Sequence, residues 1–202
     1  MKENKIHVMI LVLGVVAATF GGALAFVNAH TRQVIEERTF NETILPTLNR
    51  VFGEYGPTNN FLKDKKEQHI GEDAMGRQLR ADIYVAKKGG ESVAMATIFD
   101  GRGYSGVIRV LVAVDAKTHE IVATRTLQQS ETRGIGDRIA VESDPFVLQF
   151  RGKRMESGLK LSTEGGGVDA MSGATITSGA FTRTVKGACD LLLKQLKQEA
   201  NQ

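Results

Sequence analysis

The sequence predicts an α+β fold, in which a single N-terminal transmembrane helix precedes one domain with an antiparallel sheet and packed helices. Three observations support this prediction: an uncharged apolar run over residues 6–27, four short runs rich in Val, Ile and Thr, and an amphipathic pattern over residues 179–198. The 202-residue chain is 42% hydrophobic and 24% charged, which is typical of a folded protein and excludes wholesale disorder.

The charge and cysteine content exclude several classes of protein. Twenty-six Lys and Arg residues against 23 Asp and Glu residues give a formal charge of +3 without a clustered basic face, which argues against nucleic-acid binding. A single cysteine, Cys189, excludes an intrachain disulfide framework and a zinc site built on thiolates. The four histidines lack metal-ligand spacing, so we expect no metal site: His7, His30, His69 and His119.

The first element is the apolar run 6–27, whose 22 residues would form a helix about 33 Å long, enough to cross a hydrocarbon core of about 30 Å. Lys2 and Lys5 favour a cytoplasmic N-terminus of residues 1–5, although Arg32 and Arg38 after the span weaken this bias. The part of the chain after residue 27 would then lie in the periplasm. A cleaved signal peptide, with Ala-Leu-Ala at 23–25 as its cleavage site, is the alternative. The length of the run favours a retained anchor.

Residues 28–77 are predicted to form a connector of helix and loop on the periplasmic side. Apolar residues recur at spacings near 3.6 over residues 28–49, which predicts a helix that Pro46 ends or kinks. Gly, Pro and Asn residues indicate a loop at 53–60, and the charged residues of 63–67 indicate a solvated turn.

The middle of the chain changes to the pattern of strands. Runs rich in Val, Ile and Thr occupy residues 81–86, 92–98, 107–114 and 121–127. The breaks between them are short, which favours antiparallel hairpins because a parallel crossover needs a dozen residues or more.

The last predicted element is an amphipathic helix over residues 179–198, with apolar side chains along one face that would dock on the sheet. Cys189 lies on this apolar face, so we interpret it as a small buried hydrophobic residue rather than a reactive thiol. The strands and this helix together define a main domain at 78–202.

A glycine-rich loop leads into this helix over residues 165–178 and carries four hydroxyl groups and one carboxylate. Free N–H groups and the positive end of the helix dipole make such a place suited to a phosphate. The loop has neither the Gly-Lys-Ser/Thr of a Walker loop nor GxGxxG spacing. Plain helix capping by Thr177 or Ser178 is the alternative interpretation.

Residues 169–175 (Asp-Ala-Met-Ser-Gly-Ala-Thr) resemble the flavinylation motif of the FMN-binding domain family, Asp-x-x-Ser/Thr-Gly-Ala-Thr/Ser. Residues 131–136 resemble the Glu-Thr-Pro-Gly-Leu-Gly loop of that family, with Arg133 in place of proline. Residues 101–106 resemble its Gly-Tyr-x-Gly element, and 150–153 match the segment between them. The order of these motifs behind one span is most similar to the G subunits of Rnf ion-translocating oxidoreductase complexes. Those subunits are related to the C subunits of Na⁺-translocating NADH:quinone oxidoreductases.

The resemblance implies that FMN is held covalently, as a phosphoester on the Thr175 side chain. Asp169 would present the loop to a flavin transferase or its metal, although a solvated loop aspartate is an equal alternative. Glu131 and Thr132 would hydrogen-bond the cofactor, or belong only to a tight turn. Tyr104 would stack near the isoalloxazine, or be a packed surface residue. The complete set of implied cofactor-binding residues is Tyr104, Glu131, Thr132, Gly134, Gly136, Asp169, Ser172, Gly173, Ala174 and Thr175.

The function implied by the resemblance is electron transfer within an ion-translocating oxidoreductase of the bacterial inner membrane. The chain would relay electrons between redox subunits that connect NADH with ferredoxin-type carriers, coupled to Na⁺ or H⁺ translocation. Its partners would be the other membrane and peripheral subunits, and the flavin transferase during maturation. No independent catalytic site is expected on this chain. A non-covalent flavin- or phosphate-binding module and a non-redox scaffold remain the alternatives.

Overall fold

The computed structural model describes residues 3–72 and 78–200. The chain divides into two compact units, Met1–Pro46 and Thr47–Gln202. The first unit contains helix α1, Glu3–Thr39, which continues without a break from the apolar run into the polar segment that follows. Residues Lys5–Thr31 form the one helical stretch, within the described residues, that is long and apolar enough to cross a membrane.

A π-helical turn, Phe40–Ile44, follows α1 and is itself followed by helix α2, Leu45–Phe52. The N–H of Leu45 donates to the carbonyl oxygen of Phe40, five residues earlier. Pro46 is the second residue of α2 and comes directly after the π-helical turn, where the hydrogen-bond spacing changes and its missing N–H group is accommodated. The predicted interruption at Pro46 is therefore a change in hydrogen-bond spacing just before it, and the helix continues to Phe52.

The second unit is built on a five-stranded antiparallel sheet whose strand order follows the chain order. Its strands are β1 Lys66–Glu72, β2 Gln78–Lys88, β3 Glu91–Arg102, β4 Val107–Asp115 and β5 Ile121–Gln128. The four predicted strands correspond to β2–β5, and the predicted fold class is confirmed.

Strand β1 was not predicted, and the solvated turn expected at 63–67 is wrong for its last two residues. Lys66 pairs with Ile83, and Glu67 pairs with Asp82. Charged residues in an edge strand are common because they discourage pairing with other chains, and they also hide the strand from a search for apolar alternation. The sheet thus begins before residue 78, within the segment 28–77 that the sequence indicates as a connector.

The short helix α3, Pro145–Leu148, follows the sheet in the chain. Helix α4, Thr175–Ala200, covers one face of the sheet and begins four residues before the predicted start. Cys189 lies in its buried face with no exposed surface, and desolvation raises the pKa of its thiol to about 12, which confirms the interpretation of this residue as a buried hydrophobic one. Three phenylalanine rings pack together in the core beside the start of α4, with centroids 5.3–5.6 Å apart: Phe146, Phe150 and Phe181.

The segment from α2 to β1 is tied to the sheet by hydrogen bonds. The Tyr55 hydroxyl donates to the Asp115 carboxylate at 3.0 Å, and the N–H of Thr58 donates to the carbonyl oxygen of Lys87 at 2.9 Å. Leu48, Phe52 and Phe61 in this segment are almost fully buried. Residues after Thr47 therefore belong to the packed domain rather than to a loose linker.

Candidate functional site

The glycine-rich loop before α4 follows a path that requires glycine at one point. A Cβ atom at Gly166 would lie 2.1 Å from the backbone oxygen of Lys160, which no real side chain tolerates. Two hydrogen bonds hold the loop beside this neighbour: Ser162 N–H to the Val168 carbonyl oxygen at 2.8 Å, and Val168 N–H to the Lys160 carbonyl oxygen at 3.2 Å. The lack of a side chain at Gly166 thus allows the loop to pair in parallel with residues 160–162, through a β-bridge between Leu161 and Val168.

The end of the loop is fastened by the Ser178 hydroxyl. Its oxygen accepts the N–H of Met171 at 3.0 Å and donates to the carbonyl oxygen of Ala174 at 2.9 Å. Helix α4 already begins at Thr175, so Ser178 and Thr177 lie inside its first turn and neither is its N-cap. The capping interpretation is therefore wrong, and both hydroxyls instead hold loops around the helix start.

A cleft of about 490 Å³ opens beside the start of α4. Thr175 and Ile176 lie at its surface, and Ile176 is 59% exposed although it is a large apolar residue. Within the described residues, no hydrogen bond engages the backbone N–H groups of Thr175, Ile176 and Thr177. The cleft is lined by Tyr104, Thr132, Ile135, Gly136, Gly173, Ala174, Thr175, Ile176 and Thr177.

Glu131 lies beneath the cleft and is only 6% exposed. Its carboxylate accepts the N–H of Ser105 at 2.9 Å, the N–H of Tyr104 at 3.2 Å and the hydroxyl hydrogen of Thr177. Three segments that line the cleft therefore meet on one buried carboxylate: the β3–β4 turn, the 131–136 loop and the first turn of α4. Charge-assisted hydrogen bonds of this kind are stronger than neutral ones.

Two glycines make room for this carboxylate. A Cβ atom at Gly103 would lie 2.4 Å from Glu131 Oε1, and one at Gly136 would lie 3.0 Å from Glu131 Cβ. The same 131–136 loop is a tight turn, because the carbonyl oxygen of Thr132 accepts three N–H groups, from Ile135, Gly136 and Asp137. The interpretation of this loop as a tight turn is therefore confirmed, and hydrogen bonding of Glu131 and Thr132 to a cofactor stays a prediction.

The structure brings together six of the ten residues predicted to hold a cofactor, as lining of one cleft: Tyr104, Thr132, Gly136, Gly173, Ala174 and Thr175. Glu131 lies beneath the cleft with its oxygens bound to protein donors, and Gly134 belongs to the turn, with φ +73°. Asp169 and Ser172 are exposed on the loop outside the lining.

Three further residues line the cleft that the sequence did not indicate as cofactor-binding: Ile135, Ile176 and Thr177. Ile135 and Ile176 sit inside or beside the recognised motifs, but an isolated isoleucine carries no signal that it is exposed. Their exposure, 45% for Ile135 and 59% for Ile176, is visible only once the chain is folded.

This cleft lies in a domain of known class: residues 103–190 match the family described as FMN-binding domain. The G subunit of the ion-translocating oxidoreductase complex of Cereibacter sphaeroides is 33% identical over 179 residues, covering 87% of this chain and 78% of the relative. The corresponding protein of Shewanella loihica is 32% identical over 184 residues, covering 86% of this chain and 83% of the relative. The chain belongs to this family of G subunits, and the resemblance predicted from the motifs is confirmed.

A solved structure gives a more distant likeness. The crystal structure of NqrC from Shewanella oneidensis is 24% identical, with a TM-score of 0.47 over 65% of this chain and 69% of that one. Family membership and the apolar helix Lys5–Thr31 together support a single-pass protein of the inner membrane.

Proposed function

We propose that this chain carries FMN covalently, as a phosphoester on Thr175, and relays electrons between the redox subunits of a membrane-bound ion-translocating oxidoreductase. The observation that carries the proposal is the placement of Thr175. It is an exposed residue at the start of a 26-residue helix, at the edge of a cleft in a domain of the FMN-binding family.

The residues around the cleft suit the two ends of FMN. Three unengaged N–H groups and the positive end of the α4 dipole favour a phosphate beside Thr175. The exposed apolar surfaces of Tyr104, Ile135 and Ile176 favour a flat aromatic ring, because covering them removes apolar area from water. FMN supplies the redox chemistry when bound, and the chain orients it and limits its contact with water.

Attachment of FMN needs an enzyme besides this chain. A threonine hydroxyl is a weak nucleophile without a base, and Thr175 makes no side-chain hydrogen bond to a base within residues 3–72 and 78–200. We therefore assign its activation to a flavin transferase. Gly173 and Ala174, together with Ser172, leave the approach to the hydroxyl free of bulky side chains.

The proposal extends to the placement of the chain in the membrane. Residues 1–5 are cytoplasmic, 6–27 span the bilayer, 28–77 lie on the periplasmic side and 78–202 carry the flavin. Lys2 and Lys5 before the span support this orientation, and Arg32 and Arg38 after the span weaken the charge bias. A covalent link prevents cofactor loss outside the cytoplasm, and the anchor keeps the flavin close to neighbouring redox subunits. The electrons would pass between NADH- and ferredoxin-type carriers, with coupling to Na⁺ or H⁺.

The test is the intact mass of the purified full-length chain, made with and without a flavin transferase. The transferase should add about 438 Da, the mass of FMN less one water. Thr175→Ala should abolish the gain, whereas Thr175→Ser should keep it because the hydroxyl is retained. A mass gain that persists in Thr175→Ala would move the attachment site. Flavin that is lost on denaturation would support a non-covalent module, and a colourless chain would support a scaffold.

A further inference from the structure

Gln149 makes a two-way contact with the loop that precedes Thr175. Its Oε1 accepts the backbone N–H of Asp169 at 2.7 Å, and its Nε2 donates to the backbone carbonyl oxygen of Asp169 at 3.0 Å. One carboxamide thus holds both peptide groups of one residue, since an amide side chain can donate and accept at once. The contact fixes the backbone on both sides of the Asp169 Cα atom.

The backbone of Gln149 is itself well anchored. Gln149 ends the short helix α3, Pro145–Leu148, and its N–H donates to the carbonyl oxygen of Phe146. Phe146 and Phe150 flank it, both are buried, and their ring centroids are 5.5 Å apart. The Gln149 side chain therefore extends from a rigid part of the core.

The Asp169 carboxylate is left unengaged by this arrangement. Asp169 is exposed, and within the described parts of the chain its carboxylate has no hydrogen bond or ion pair. Its neighbours are fixed, Val168 by the bridge to residues 160–162 and Met171 by the Ser178 hydroxyl. A free carboxylate on a fixed backbone is ready to be recognised by another molecule, because little conformational entropy remains to be lost on binding.

We propose that Gln149 is a positioning residue for the modification of Thr175, an inference that rests on the proposed function. By holding both peptide groups of Asp169, Gln149 presents the Asp169 carboxylate to the flavin transferase. In the modification a bond forms between Thr175 Oγ and the flavin phosphorus, and the phosphoanhydride bond of a flavin dinucleotide donor breaks. A nucleoside monophosphate leaves, and the hydroxyl proton passes to a base of the transferase.

The experiment follows the mass gain of the unmodified full-length chain, in detergent, with transferase and a flavin dinucleotide at several chain concentrations. Gln149→Met keeps the length of the side chain and removes both hydrogen bonds. It should lower kcat/KM for modification by about 10- to 30-fold, the equivalent of two hydrogen bonds of ordinary net strength. Gln149→Glu keeps an acceptor for the Asp169 N–H but places a carboxylate oxygen against the Asp169 carbonyl oxygen, so it should also be modified more slowly than the wild type.

The matched control is Gln195→Met. The Gln195 carboxamide also donates one hydrogen bond, to Glu199 at 2.9 Å, but it lies 20 residues beyond Thr175 on α4, about 30 Å along the helix. This variant should be modified at the wild-type rate. The urea unfolding midpoints of the Gln149 variants show whether their fold is kept: loss of positioning slows modification at an unchanged midpoint, whereas loss of folding lowers the midpoint.

A double-variant cycle tests whether Gln149 acts through Asp169. In the background of Asp169→Asn, which removes the carboxylate charge, Gln149→Met should slow modification by less than about 2-fold further. Wild-type behaviour of Gln149→Met, or effects of the two substitutions that multiply, would overturn the inference. A wild-type chain that never gains mass would overturn the proposed function too, so the two failures are distinguishable.

Discussion

Replacement of Glu131 by glutamine tests the role of the buried carboxylate beneath the cleft. The carboxylate has three donors: Ser105 N–H on Oε1, with Tyr104 N–H and the Thr177 hydroxyl on Oε2. A glutamine side chain has one oxygen and one NH₂ group at these two places. In either orientation its NH₂ group faces a backbone N–H, so one part-buried donor always loses its acceptor.

The magnitude follows from this count. An unsatisfied buried N–H costs about 1–3 kcal/mol, and the lower end applies here because Tyr104 and Ser105 are exposed residues whose N–H groups are only part-buried. The remaining hydrogen bonds weaken from charge-assisted to neutral strength. We expect Glu131→Gln to lower the free energy of unfolding by about 1–2 kcal/mol. With a urea dependence of about 2 kcal/mol per molar, the unfolding midpoint should fall by about 0.5–1 M.

The assay is urea unfolding of the unmodified, detergent-solubilised chain followed by tyrosine fluorescence. The chain has no tryptophan, and its three tyrosines, Tyr55, Tyr84 and Tyr104, all lie in the unit Thr47–Gln202. The signal therefore reports on this domain alone. Glu91→Gln is the matched control: Glu91 is 77% exposed with one distant ion pair at 3.7 Å, so the change should cost less than about 0.5 kcal/mol. An equally small effect of Glu131→Gln would refute the reasoning.

Three further results are expected. Gly166→Ala should lower the free energy of unfolding by about 1–3 kcal/mol, because its Cβ atom would lie 2.1 Å from a backbone oxygen. Gly167→Ala is the control and should leave this free energy unchanged, because the nearest atom to its Cβ would be 3.7 Å away. Equal urea unfolding midpoints for the two variants would contradict the prediction. Cys189 should resist a thiol reagent in the native chain and react in urea, because burial raises its thiol pKa to about 12; rapid labelling without urea would contradict its burial. Burial of Asp144 opposes its ionisation, but hydrogen bonds from Arg138 and a backbone N–H outweigh it and lower the pKa of this carboxyl. Because the pKa of Asp144 is lower in the folded chain, its ionised form stabilises the fold at any pH above the pKa of the unfolded chain, near 4, and this stabilisation is lost as the pH falls. Asp144→Asn should therefore lose less stability than the wild type below about pH 5. An unchanged dependence of stability on pH would contradict this expectation.

The predictable part of the fold came from patterns that are local in the chain. Strands β2–β5 were evident because their Val, Ile and Thr residues lie between short turns, and α4 was evident from its apolar face. Strand β1 was hidden because Lys66 and Glu67 belong to an edge, where pairing depends on a neighbouring strand rather than on apolar side chains.

The part of the candidate site that could be predicted was also local in the chain, because its motifs are runs of neighbouring residues. Its motif residues were recognisable, and Thr175 was identified as the attachment point proposed here. The positions of Glu131 and Gln149 could not be predicted, because their roles depend on partners far away in the chain. Glu131 meets Thr177 46 residues later, and Gln149 meets Asp169 20 residues later.

The sequence by itself determined the apolar helix, the α+β domain and the family, because composition, periodicity and motif spacing are properties of neighbouring residues. Tertiary structure alone decided which polar groups became buried and which stayed free. Packing of the β3–β4 turn, the 131–136 loop and α4 turned Glu131 toward protein donors, while the carboxylate of Asp169 remained in solvent. The physical reason is that a hydrogen bond is satisfied by distance in space, and distance in space between remote residues is set only when the chain has folded.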